Sequence, residues 1–102
     1  MDTSEATAIA KALLKKGLIA CANLIPQCTS LYFWEGKMCQ EKEVLLMVKT
    51  TLNHQQAVEN TIASLHTYTL PMIVAQQTLE IKEPLAKWIN QSVRSEPPNP
   101  SQ

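Results

Sequence analysis

Residues 21–37 read CANLIPQCTSLYFWEGK. Leu24-Ile25-Pro26 and Leu31-Tyr32-Phe33-Trp34 are rich in the branched and aromatic side chains that fit a pleated surface, so both read as strand. Pro26 has no N–H to give to a ladder, which places it at an edge or at a bulge within one long bent strand. Glu35-Gly36-Lys37 then reads as a tight reversal, with Gly36 free to take the positive φ such a turn needs. The run that follows, Glu43 to Thr50 (EVLLMVKT), is apolar at both alternating sets of positions, the pattern of a strand covered on both faces. The two stretches together predict a long β-hairpin.

Helices flank the hairpin. Ala6, Ile9, Ala10 and Leu13 recur at helical spacing and predict a helix over 4–16. Asp2, three residues before Glu5, suits a capping box, and Gly17 suits a left-handed stop. A second helix is expected from Asn53, with Gln56 as its capping partner and Val58, Ile62 and Leu65 as its buried stripe. His54, on its first turn, reads as solvent-facing. Pro71 turns Leu70 out of helix, Met72 to Leu79 reads as a further strand, and Pro84 opens a last helix with Leu85, Trp88 and Ile89 inward. Residues 1–94 form one domain in this reading, and 95–102, with three prolines, a disordered tail. The order is helix, strand, strand, helix, strand, helix; one more strand in front would complete the split βαβ arrangement.

Composition narrows the function. The 102 residues carry nine basic and nine acidic side chains, so no net field draws the chain to nucleic acid or anionic lipid. No apolar run reaches the length of a membrane span, and the start shows no secretory leader, so the chain reads as soluble and cytoplasmic. Three cysteines at irregular spacing, Cys21, Cys28 and Cys39, make no disulfide framework. Free thiols are the ordinary reading. Cys39, next to Met38 at the hairpin turn, is the one with the character of a soft-metal ligand. Catalysis has little support: neither G-x-S-x-G nor H-E-x-x-H occurs, two glycines cannot build a phosphate loop, and Arg94 is the sole arginine.

The 21–37 stretch closely resembles the CutA divalent-ion tolerance family, whose pattern there runs C-x-N-x-x-P-G-x-T-S-x-Y-x-W-x-G-K. Gln27 stands where that pattern has glycine. Glu43 to Thr50 is similar to the family's E-x-x-L-x-x-K-T, and His66 to Ile73 to its H-P-Y-x-x-P-E-I, with Thr67 and Met72 as departures. The resemblance covers about residues 4–93. It implies an α+β, ferredoxin-like βαββαβ sandwich plus a C-terminal helix, with the first strand apparently missing from this chain. In that fold the strand lies mid-sheet, so a chain without it is expected to be unstable or rearranged unless its start lies upstream. The resemblance also implies a non-catalytic homotrimer in divalent metal ion (copper) tolerance, with weak copper binding. The proposed copper ligands of the family are a cysteine on the first strand and histidines ending the second helix. Here only His66 matches, Leu65 preceding it, and one imidazole does not make a metal site.

Each candidate residue has two readings. His66 is either a metal or ligand contact or a helix cap facing the dipole. Trp34 is a packing residue or part of an intersubunit cleft. Tyr68 suits a cleft wall, and Lys49 pairs with Glu43, a neighbouring subunit or an anionic effector. The family's trimers are also similar to PII signalling proteins, so a PII-like effector sensor using clefts around His66, Tyr68 and Lys49 is the rival function. A purely structural assembly module is a third.

Overall fold

The computed structural model describes residues 2–66 and 72–95. Helix α1 spans Thr3–Lys15. It begins where the sequence places it: the Asp2 carboxylate accepts a hydrogen bond from the Glu5 N–H at 2.7 Å, satisfying one of the helix's orphan donors. It ends at Gly17, φ +70. The Leu18 N–H reaches Leu13 O at 3.1 Å and the Gly17 N–H reaches Leu14 O at 3.0 Å, the paired bonds of a Schellman stop. Ala6, Ile9, Ala10 and Leu13 are all buried, as their spacing requires.

Strands β1 (Cys21–Trp34) and β2 (Lys37–Lys49) form one antiparallel hairpin. The register runs evenly except between Ile25 and Cys28, where Pro26 and Gln27 together oppose Val44. Two residues against one is a β-bulge, and the missing N–H of Pro26 falls there without breaking a ladder bond. Gln27 takes φ 58. A side chain in the left-handed region costs about 1–2 kcal/mol, part of which glycine would return through its greater freedom when unfolded. Gln27→Gly is therefore expected to raise stability by about 0.5–1 kcal/mol. Urea melts check it, with Gln27→Ala as the control that keeps a Cβ and gains nothing.

At the other end, Trp34 pairs with Lys37 across a two-residue turn in which Glu35 has φ 50 and Gly36 φ 79. Two positive φ values define the type I′ turn, which prefers asparagine or aspartate followed by glycine. Glu35→Asn should add about 0.5–1 kcal/mol, read as a higher urea midpoint at unchanged slope.

A 3₁₀ turn, Leu52–His54, follows β2 and leads into α2, Gln55–Leu65. The expected start at Asn53 is corrected: the turn absorbs Asn53, and the position before α2 is His54, whose side chain makes no cap bond. His54 is also not solvent-facing but 2% exposed. Its position three and four residues before Ala57 and Val58, both buried, puts it on the inward stripe. Its Nδ1 pairs with the Thr51 hydroxyl, and its Nε2 meets no hydrogen-bonding partner among the described residues.

Helix α3 spans Glu83–Ser92 with Pro84 in its first turn. Only Ile89 of its expected inward set is buried; Leu85 and Trp88 remain almost half exposed. The Arg94 N–H bonds Gly17 O at 2.8 Å, which ties the end of α3 to the stop of α1. The strand expected over Met72–Leu79 does not form: 72–78 carry no helix or strand, and the sheet has two strands. A strand exists only where a neighbouring edge supplies its ladder, and among the described residues β2 pairs with β1 alone. Residues 67–71, with Tyr68, and the tail 96–102 lie outside the described residues.

The core is small: Ile9, Leu13, Leu18, Ile19, Ala57 and Val58, with Ala22, Leu46, Val48 and Ile62 packed against it. It lies between α1, α2 and one face of the hairpin base. Leu46 and Val48 point into it, so by strand alternation Leu45 and Met47 point away. The strand expected to be covered on both faces is therefore covered on one.

Candidate intersubunit surface

The hairpin presents two apolar surfaces to solvent. At its base, on the face away from the helices, Leu45 pairs with Ile25 and Met47 with Asn23. Ile25, Leu45 and Met47 are 44%, 48% and 49% exposed. Toward the tip, Leu31, Phe33, Trp34 and Met38 are exposed still further. By the register Trp34 shares the outward face with Leu45 and Met47, while Phe33, Leu31 and Met38 lie on the opposite face; exposed apolar groups of this kind on a small domain mark sites of interaction.

The candidate residues fall at different places along the hairpin. Trp34 ends β1 at the tip, and Lys49 ends β2 at the base. Twelve strand steps separate Lys37, the cross-strand partner of Trp34, from Lys49. That is roughly 40 Å of strand, close to the 44 Å longest extent of the molecule. One chain cannot bring Trp34 and Lys49 into one cleft. Lys49 Nζ donates to Asn23 Oδ1 at 2.9 Å, on the base's outward face. Its expected partner Glu43 lies six residues away along the same strand, beyond its reach.

His66 occupies the C-cap position of α2, where its backbone N–H bonds Ile62 O at 2.8 Å. Cys39, three residues past the turn, is half-buried like Cys21 and Cys28, and its thiol donates weakly to Lys37 O at 3.7 Å. Among the described residues no three His, Cys, Asp or Glu side chains gather closely enough to hold a metal ion. The described residues of one chain thus do not by themselves make a copper centre, which needs several ligands at fixed geometry. Near the tip, the Tyr32 phenol is held above its usual range by its hydrogen bond to the Glu41 carboxylate, since losing the proton would set two negative charges together.

No described helix is long and apolar enough to cross a membrane. Sequence reasoning missed His54, although its i, i+3, i+4 relation to Ala57 and Val58 was the available signal.

These features define a small α+β protein whose hairpin carries exposed apolar side chains. Residues 1–92 match the profile of the CutA1 divalent ion tolerance protein family. The divalent-cation tolerance protein CutA of Escherichia coli (strain K12 / DH10B) is 41% identical over 93 residues, covering 91% of this chain and 83% of that one. The structure resembles the periplasmic divalent cation tolerance protein CutA from Archaeoglobus fulgidus, with TM-score 0.87 and 34% identity over 91% of this chain and 90% of that one. It also resembles the PII-like protein CutA from Nostoc sp. PCC 7120 in apo form, with TM-score 0.84 and 27% identity over 92% and 91%. The chain belongs to the CutA1 divalent ion tolerance family.

Proposed function

We infer that this chain acts as a non-catalytic homotrimer in tolerance of divalent metal ions, in the cytoplasm, with weak copper binding at sites shared between subunits. The observation that carries this reading is the uncovered hairpin: its apolar outer face needs a covering partner, and Trp34 and Lys49 can approach one another only across copies. Family membership supports the link to divalent ions. His66 and Cys39 are the ligands we assign to the metal, each incomplete within its own chain. Copper titration followed by the histidine and cysteine signals tests it. His66→Ala is expected to weaken binding at least tenfold, and Cys39→Ser severalfold; unchanged affinity in both variants would refute the assignment.

The likeness to a PII-like protein favours a second reading, an effector sensor with its ligand in intersubunit clefts near Trp34, Lys49, His66 and Tyr68. A small anionic effector would then raise the melting temperature in proportion to its occupancy. Lys49→Ala should abolish that shift while leaving copper affinity unchanged.

A further inference from the structure

Past the bulge the hairpin becomes an arm. The first turn of α1 lies beside Gln27, Lys42 and Val44, and α2 packs on α1 and the 3₁₀ turn. The strands run on from there to the turn at Glu35-Gly36, roughly 17 Å from Lys42 to Lys37. A two-stranded ribbon standing alone is marginal in water. On the face that carries Leu46 and Val48 nearer the base, the arm carries Leu31, Phe33 and Met38, which are 66%, 70% and 72% exposed.

This tip patch shares its plan with the base patch on the opposite face. Phe33 pairs with Met38 and Leu31 with Gln40; at the base, Ile25 pairs with Leu45 and Asn23 with Met47. Each patch is an apolar pair beside an apolar side chain and a carboxamide, without a charge inside it. Charges stand at the ends. Lys42 lies one pair beyond Leu31 and Gln40, and Glu35 lies in the turn beyond Phe33 and Met38. Glu43 lies beyond Ile25 and Leu45, and Lys49 beyond Asn23 and Met47, on that same outward face. Laid one on the other in the same sense, the patches would set Lys42 against Lys49 and Glu35 against Glu43. Laid in the reversed sense, they set Lys42 against Glu43 and Glu35 against Lys49. Charge complementarity selects the reversed sense.

We propose that the tip patch of one copy packs on the base patch of the next in this reversed sense. Leu31 and Gln40 then cover Ile25 and Leu45 of the next copy, and Phe33 and Met38 cover its Asn23 and Met47. The two patches face opposite sides of one hairpin, so a chain cannot lay one on the other, and a second copy can. Joining two different patches is a head-to-tail contact, which closes into a ring rather than pairing two chains. Three arms lying across a threefold axis point more against one another than along one another, which suits the reversed sense. This assignment rests on the homotrimer reading and adds which surfaces meet.

The test uses the full chain. Phe33 is already exposed in one chain, so Phe33→Asp should keep the far-UV circular dichroism spectrum while weakening association at least a hundredfold by sedimentation velocity. Proximity is read separately, in a background that still assembles with Cys21, Cys28 and Cys39 changed to serine. There, Phe33→Cys combined with Met47→Cys should give covalent two- and three-chain species with a short bismaleimide. Nine strand steps separate Met38, the partner of Phe33, from Met47, roughly 30 Å, so a link between the two positions joins two chains. Either cysteine alone should leave single chains. Undiminished assembly of Phe33→Asp, no link in the paired variant, or equal linking of a single-cysteine variant would each overturn the inference while a trimeric wild type stands. A wild-type chain that scatters as a lone protomer would overturn the trimer reading and this inference together.

Discussion

Leu13→Ala should cost about 3 kcal/mol. Leu13 is 0% exposed and belongs to the cluster of Ile9, Leu18, Ile19, Ala57 and Val58. It is also the residue whose carbonyl receives the Leu18 N–H in the helix stop, so the backbone around it is pinned and cannot collapse into the space left by truncation. The loss therefore includes both the transferred methyls and the residual cavity. A domain near 100 residues has a net stability of about 5–15 kcal/mol, and each kcal/mol is worth about 4–8 °C in melting temperature. A fall of about 15 °C is the expected result, measured by circular dichroism at fixed protein concentration. Leu14→Ala is the neighbouring control: that side chain is almost half exposed, and its loss should stay within about 0.5 kcal/mol of zero.

The second large effect involves side chains that contribute little within one chain. Leu45→Asp combined with Met47→Asp is expected to dissociate the proposed trimer while leaving the protomer folded. Both side chains sit on the outward face of β2, opposite the face that Leu46 and Val48 turn to the core. In a lone protomer an aspartate there stays in water, and the change is small. In an interface it would be an unpaired buried charge, worth several kcal/mol. At 1.4 kcal/mol per factor of ten, a penalty of about 3 kcal/mol per subunit weakens association about a hundredfold. Sedimentation velocity reads the assembly and far-UV circular dichroism the protomer fold. Loss of both together would mean that the outward face belongs to the subunit's own core.

Features whose signals are local were legible in the sequence. Asp2 before Glu5 and Gly17 after Lys16 mark the two ends of α1, and both perform those roles through bonds made within a few residues. Pro26 and Gly36 likewise mark the bulge and the turn, because each acts through its own backbone geometry. What depends on distant partners was misread. Met72–Leu79 has the composition of a strand, but composition cannot supply the neighbouring edge. The apolar run of β2 suggested cover on both faces, yet a run of residues does not say whether that cover comes from its own chain. Asn53 had the chemistry of a cap, and the 3₁₀ turn ahead of α2 moved the cap position to His54. Of the candidate site, Trp34 was legible as a large aromatic on the hairpin. That Trp34 and Lys49 stand at opposite ends of the same hairpin follows only from the register.

We propose that identical copies of this chain cover the hairpin's outward face. Multi-angle light scattering on the unmodified protein at micromolar concentration measures it directly. A single species of about 34 kDa, three times the 11.4 kDa chain, is the expected result; a sharply folded 11.4 kDa protomer that stays monomeric as its concentration rises would refute the trimer.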